Sequence, residues 1–103
     1  MTHINLNEMN SHLELAMSML LSQLPNGTHA LVERVESTSM EVGESTVRRL
    51  GELGFIPGEP VQMLRRGPGG REPLAVQVGE TQFALRLIEA QCIHVQTDLT
   101  AKV

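Results

Sequence analysis

GESTVRRLGELGFIPGEPVQML, residues 43–64, holds a helix, its cap, a turn and the start of a strand in one run. Glu44 stands in what would be the first helical turn, where a negative charge meets the positive end of the helix dipole, and Gly54 is placed to take a left-handed cap. At about 100° per residue, Val47, Leu50, Leu53 and the small Gly51 and Gly54 gather on one side, while Ser45, Arg48, Arg49 and Glu52 face the other. One side packs; the other meets solvent or a partner. Pro57-Gly58 is a turn dipeptide with the glycine free to take positive φ, and after Pro60 the residues Val61 to Leu64 read as a strand.

Outward from this run the pattern is β. His29 to Val35 is a first strand, rich in apolar and β-branched residues. Gly67-Pro68-Gly69-Gly70 breaks the chain, after which Leu74, Val76 and Val78 alternate with Ala75 and Gln77. Gly79-Glu80 has the order of a type II′ hairpin turn and leads into Thr81 to Arg86. Leu87 to Ala90 is long enough for one helical turn, and Ile93 and Val95 point inward from a last strand whose other face would carry Cys92, His94 and Gln96. The expectation is a mainly β domain: a small β-barrel of about five strands, closed or nearly closed, with one helix between the first two. Toward the N-terminus, Leu6, Met9, Leu13, Met17, Leu20 and Leu24 recur at helical spacing, which predicts an additional amphipathic helix ended by Pro25-Asn26-Gly27. Two readings stand for it: packing on its own barrel, or contact with a second copy in a homodimer. It bears no Lys or Arg for lipid headgroups, so direct membrane insertion is not expected. The domain division is then a helical extension over 1–20, the barrel over 21–96 and a tail over 97–103.

Composition excludes several function classes. Phe55 and Phe83 are the only aromatic residues, too few for stacking unpaired bases or gripping proline-rich peptides. Eight basic against twelve acidic residues give a net charge of -4, which repels nucleic acid. The single cysteine, Cys92, forms no intramolecular disulfide, and the first twenty residues show no signal-peptide pattern, so a soluble, cytoplasmic protein is expected.

No catalytic constellation is visible. The only aspartate, Asp98, lies near the C-terminus, and no G-x-S-x-G elbow occurs, so the chain is read as a non-enzyme. Arg65, Arg66 and Arg71 surround the glycine-rich loop without the Lys or following helix of a P-loop; the loop is read as a hairpin connection whose arginines keep its tip solvated, with anion binding as the alternative. Glu8 with His12, and Cys92 with His94, form two corners of two ligands each. A selective metal site needs three or four, so no cofactor is required and metal binding, where it occurs, is weak or intermolecular.

The run Val47 to Val61, followed by Leu64-Arg65-Arg66, Pro73-Leu74-Ala75-Val76, Phe83-Ala84-Leu85-Arg86, Glu89-Ala90 and Ile93-His94-Val95, closely resembles the ferrous iron transport protein A family, or FeoA-like domain. The resemblance implies an SH3-like β-barrel in the cytoplasm, an accessory to the membrane ferrous-iron permease that carries a GTPase-like cytosolic domain, recruited by it to the inner face of the membrane. The outward helical face and the loop after it, Arg48, Arg49, Glu52, Leu53, Phe55 and Ile56, are the expected partner-docking surface. The bland reading of the same residues is an i, i+4 pair between Arg48 and Glu44 with Phe55 in the core. The chain also resembles the C-terminal domain of iron-dependent repressors, which implies the alternative function of a stand-alone metal-binding or iron-sensing module.

Overall fold

A computed structural model describes residues 16–37 and 43–98. Six strands form one antiparallel sheet: β1 (Ala16–Leu20), β2 (His29–Val35), β3 (Pro60–Gly67), β4 (Arg71–Val78), β5 (Thr81–Leu85) and β6 (Ile93–Asp98). Their order across the sheet is β1-β6-β2-β3-β4-β5. Helix α1 (Glu44–Leu53) lies between β2 and β3 in the chain, and the single turn α2 (Leu87–Ala90) lies between β5 and β6.

The alternation read from the sequence is the alternation that packs. Ala30 and Val32, Val61 and Met63, Leu74, Val76 and Val78, Leu85, Ile93 and Val95 turn to one side of the curved sheet, and Leu50 of α1 joins them in a single core. Turn chemistry sets the corners. Gly79 takes φ +57 while Glu80 stays out of the positive-φ region, the combination of a type II′ turn, and Val78 pairs directly with Thr81. At the other corner Gly58 takes φ +92 and the Glu59 N–H donates to Ile56 O at 3.1 Å, a type II turn.

Three expectations are corrected. The helix predicted through Leu24 is not what residues 16–24 form: Ala16–Leu20 is a strand paired with β6 from Ala16↔Asp98 to Leu20↔His94, and Leu21–Gln23 is a 3-10 turn. The spacing of Met17, Leu20 and Leu24 suits a helix, but Met17, Met19 and Leu21 alternate as well, and the free edge of β6 offers backbone partners that decide between the two. The earlier part of that predicted helix, with Glu8 and His12, lies outside the described residues. Second, the last strand runs through Thr97, which is buried, to Asp98, so residues assigned to the tail belong to the sheet.

Third, the sheet does not close. The edge strands β1 and β5 are not paired to each other. Each edge strand instead runs into a helical turn, Leu21–Gln23 after β1 and α2 after β5, and these two turns contact one another. Leu21, Leu24 and Ala90 are fully buried, so the seam between the edges is sealed by side chains rather than by a ladder of hydrogen bonds. The Arg66 guanidinium reaches across from β3 and donates to Ser22 O at 2.9 Å and Leu24 O at 2.8 Å. Arg66 thus holds the seam rather than solvating a loop tip.

Candidate docking surface

Helix α1 is capped as its sequence dictates: Gly43 is extended at the N-cap, and Gly54 at φ +121 donates its N–H back to Gly51 O and Leu50 O. Leu50 is wholly buried, and Val47 and Leu53 pack against the core from the same side. Arg48, Arg49 and Glu52 are exposed on the other. Arg48 has no acidic partner among the described residues; the pair with Glu44 does not form.

Arg49 does have a partner. Its guanidinium pairs with the carboxylate of Glu89 in α2, whose side chain is only 7% exposed. Glu89 Oε1 also accepts the backbone N–H of Arg86 at 2.9 Å, closing the first turn of α2 from within. One buried carboxylate therefore joins the two helices. In the sequence this contact leaves one signal, a lone glutamate in the apolar run LIEAQCI, three residues after Arg86. Arg49→Met, which leaves that carboxylate only the Arg86 backbone N–H and the more distant Arg86 guanidinium, is expected to cost about 1–2 kcal/mol in urea unfolding. Adding Glu89→Met should cost less than the sum of the two single variants; additivity within about 0.3 kcal/mol would show that the groups are not coupled.

The loop after α1 divides its two apolar residues. Phe55 is 1% exposed, its N–H donates to Leu50 O at 3.1 Å, and its ring centroid stands 6.0 Å from that of Phe83. As a core residue it presents no docking surface, which corrects its place among the expected partner contacts. Ile56 is 47% exposed. It opens the type II turn, which is pinned to β2 by Gly58 N–H to Val32 O at 2.8 Å and Val32 N–H to Glu59 O at 2.9 Å. Leu31, beside Val32, is exposed as well. An exposed cation, an exposed carboxylate and a fixed apolar side chain thus follow one another as Arg48, Glu52 and Ile56, with Leu53 half-buried behind them.

The metal candidates on β6 separate. Cys92 is fully buried just before the strand, with its Sγ 3.4 Å from Ile88 O, whereas the expectation had placed it on the outer face with His94. The turn that follows α2 carries it inward. His94 is half-buried; its Nε2 lies 3.4 Å from Glu36 Oε1 without hydrogen-bond geometry. Among the described residues no three His, Cys, Asp or Glu side chains group closely enough to hold a metal ion. Nor is any described helix long and apolar enough to cross a membrane.

Comparison with known proteins matches this arrangement throughout the sheet. The family model of the FeoA domain covers residues 19–97. The FeoA of Stenotrophomonas maltophilia, crystallised with zinc and described as an SH3 domain protein put forward as a ferrous iron transport activating factor, is 47% identical, with a TM-score of 0.67 over 79% of this chain and 98% of that one. The large ribosomal subunit protein bL25B of Symbiobacterium thermophilum is 42% identical over 69 residues, 63% of this chain; the chain spans only 32% of that protein's length. IdeR of T. acidophilum shares the fold alone, at 17% identity and a TM-score of 0.62, over 79% of this chain and 34% of that one.

Proposed function

This chain belongs to the FeoA domain family, and from that membership we propose that it is an accessory of ferrous iron uptake that docks on the GTPase-bearing cytosolic part of the ferrous iron permease and modulates it. An SH3-like domain with no catalytic constellation in its sequence acts by binding. Its effect on transport equals the difference in its affinity for two states of the permease, so it stabilises whichever state it binds more tightly. The observation that carries the reading is the outer face of α1 and its following turn, where Arg48 stands without an acidic partner among the described residues and Ile56 is held exposed in a pinned turn. An exposed arginine and an exposed apolar side chain in a pinned turn on successive elements support docking, because arginine and well-anchored apolar side chains carry much of the energy of protein interfaces.

Arg49 is excluded from the test because a carboxylate placed there would face buried Glu89 and unfold the domain for reasons unrelated to docking. Arg48→Glu combined with Ile56→Ser is expected to weaken binding to the isolated cytosolic domain of the permease at least tenfold, about 1.4 kcal/mol, with the melting temperature little changed. Unchanged affinity in the folded double variant would remove this face from consideration. The zinc in the Stenotrophomonas relative favours one second reading, a stand-alone metal-binding or sensing module. Saturable, stoichiometric uptake of anaerobic ferrous iron in calorimetry, abolished by His94→Ala, would establish that reading in place of the first.

A further inference from the structure

The arginines of the β3–β4 hairpin are not matched by the acidic residues around them. Among the described residues, Arg34 pairs with Glu33 and Glu36, and Arg49 and Arg86 approach Glu89, but Arg66 and Arg71 have no carboxylate partner. Both line an open groove of about 570 Å³ between the hairpin and α2, with Pro68 and Leu87 among its walls. Leu87 is 42% exposed. The groove also holds one carboxylate, Glu72, whose Oε2 accepts the backbone N–H of Leu87 at 2.6 Å and whose charge remains. A chain of net charge -4 thus keeps a concavity with apolar walls and two arginines against one carboxylate, Arg66 also donating to Ser22 O and Leu24 O.

We propose that this groove binds an acidic peptide segment of a partner protein, with an apolar side chain against Leu87 and Pro68 and flanking carboxylates toward Arg71 and Arg66. Charge complementarity sets the sign of the occupant, and the apolar walls set its class. Nucleic acid is disfavoured by the lack of an aromatic residue on the groove for base stacking. A free phosphate would leave most of a groove of about 570 Å³ unfilled. The site is separate from the outer face of α1: Glu89 of α2 turns toward Arg49, while Leu87, two residues earlier, borders the groove.

The test uses a fluorescein-labelled peptide of sequence EELEELE, read by anisotropy and by amide shifts in NMR spectra of the full chain. Saturable binding with shifts centred on Arg71, Glu72 and Leu87 is expected, weakened at least tenfold by Arg71→Glu and by Leu87→Ser, and weakened as much when the peptide is QQLQQLQ. Glu72→Gln keeps an acceptor for the Leu87 N–H while removing the competing charge, so it should tighten binding severalfold. The proposal is overturned if Arg71→Glu leaves affinity unchanged in a folded protein, if the shifts fall on another face, or if a seven-nucleotide oligothymidylate or anionic phosphatidylserine vesicles bind the groove as well as the peptide does.

Discussion

Phe55→Ala is expected to lower the unfolding free energy by about 3–5 kcal/mol, a large fraction of what holds a domain of this size together. The side chain is 1% exposed and stands against the ring of Phe83 within the buried core, so its loss leaves a cavity beside that ring. Its backbone is fixed as well, because the N–H of Phe55 returns to Leu50 O at the end of α1 and the chain turns immediately at Ile56 to Glu59. Collapse into the vacated volume would have to move that turn away from β2. A urea midpoint shifted by less than the equivalent of about 1 kcal/mol would show that Phe55 is not the core residue it is described as.

Gly67→Ala is expected to cost about 2–4 kcal/mol through a different cause, the absence of room. A Cβ at Gly67 would lie 2.2 Å from Glu72 O and 2.6 Å from Glu72 C, and both are backbone atoms of the paired strand. No rotamer change relieves such an overlap; the end of the β3–β4 ladder must open. Gly69→Ala, two residues away, provides the control. Its Cβ would meet nothing within 4 Å, so only its left-handed φ of +73 penalises alanine, at about 1–2 kcal/mol. Equal unfolding midpoints for the two variants would contradict the close approach at Gly67.

The sequence was most legible where local chemistry decides the structure. Helix α1 follows from a dipole-compatible first turn, one apolar face and Gly54; the hairpin follows from Gly79-Glu80 between alternating runs; α2 fits the space left between two strands. None of these depends on a distant residue. Strand β1 does, because AMSML satisfies both a helical and an alternating pattern, and its choice rests on β6, more than seventy residues later in the chain. The same limit applies to the site. The exposure of Arg48 and Glu52 could be read from helical geometry, whereas the fates of Arg49 and Arg66 are set by partners 40 to 44 residues away. The two readings of Phe55 were separated only by the packing of its ring on Phe83. Cys92 departs from strand alternation for a related reason: it lies in the turn after α2, one residue before β6 begins.

Because Ala16 is the cross-strand partner of Asp98, the two ends of the sheet's chain path emerge side by side, separated by roughly 5 Å as in any antiparallel pair. A domain with adjoining ends is portable. It can be spliced into a surface loop of a larger protein, or attached after another domain, without a long tether and without stretching its host. Among the described residues the unit carries its own seam, sealed by the turns after β1 and β5. Such economy of attachment suits one architecture that makes up nearly all of the Stenotrophomonas FeoA chain and about a third of IdeR.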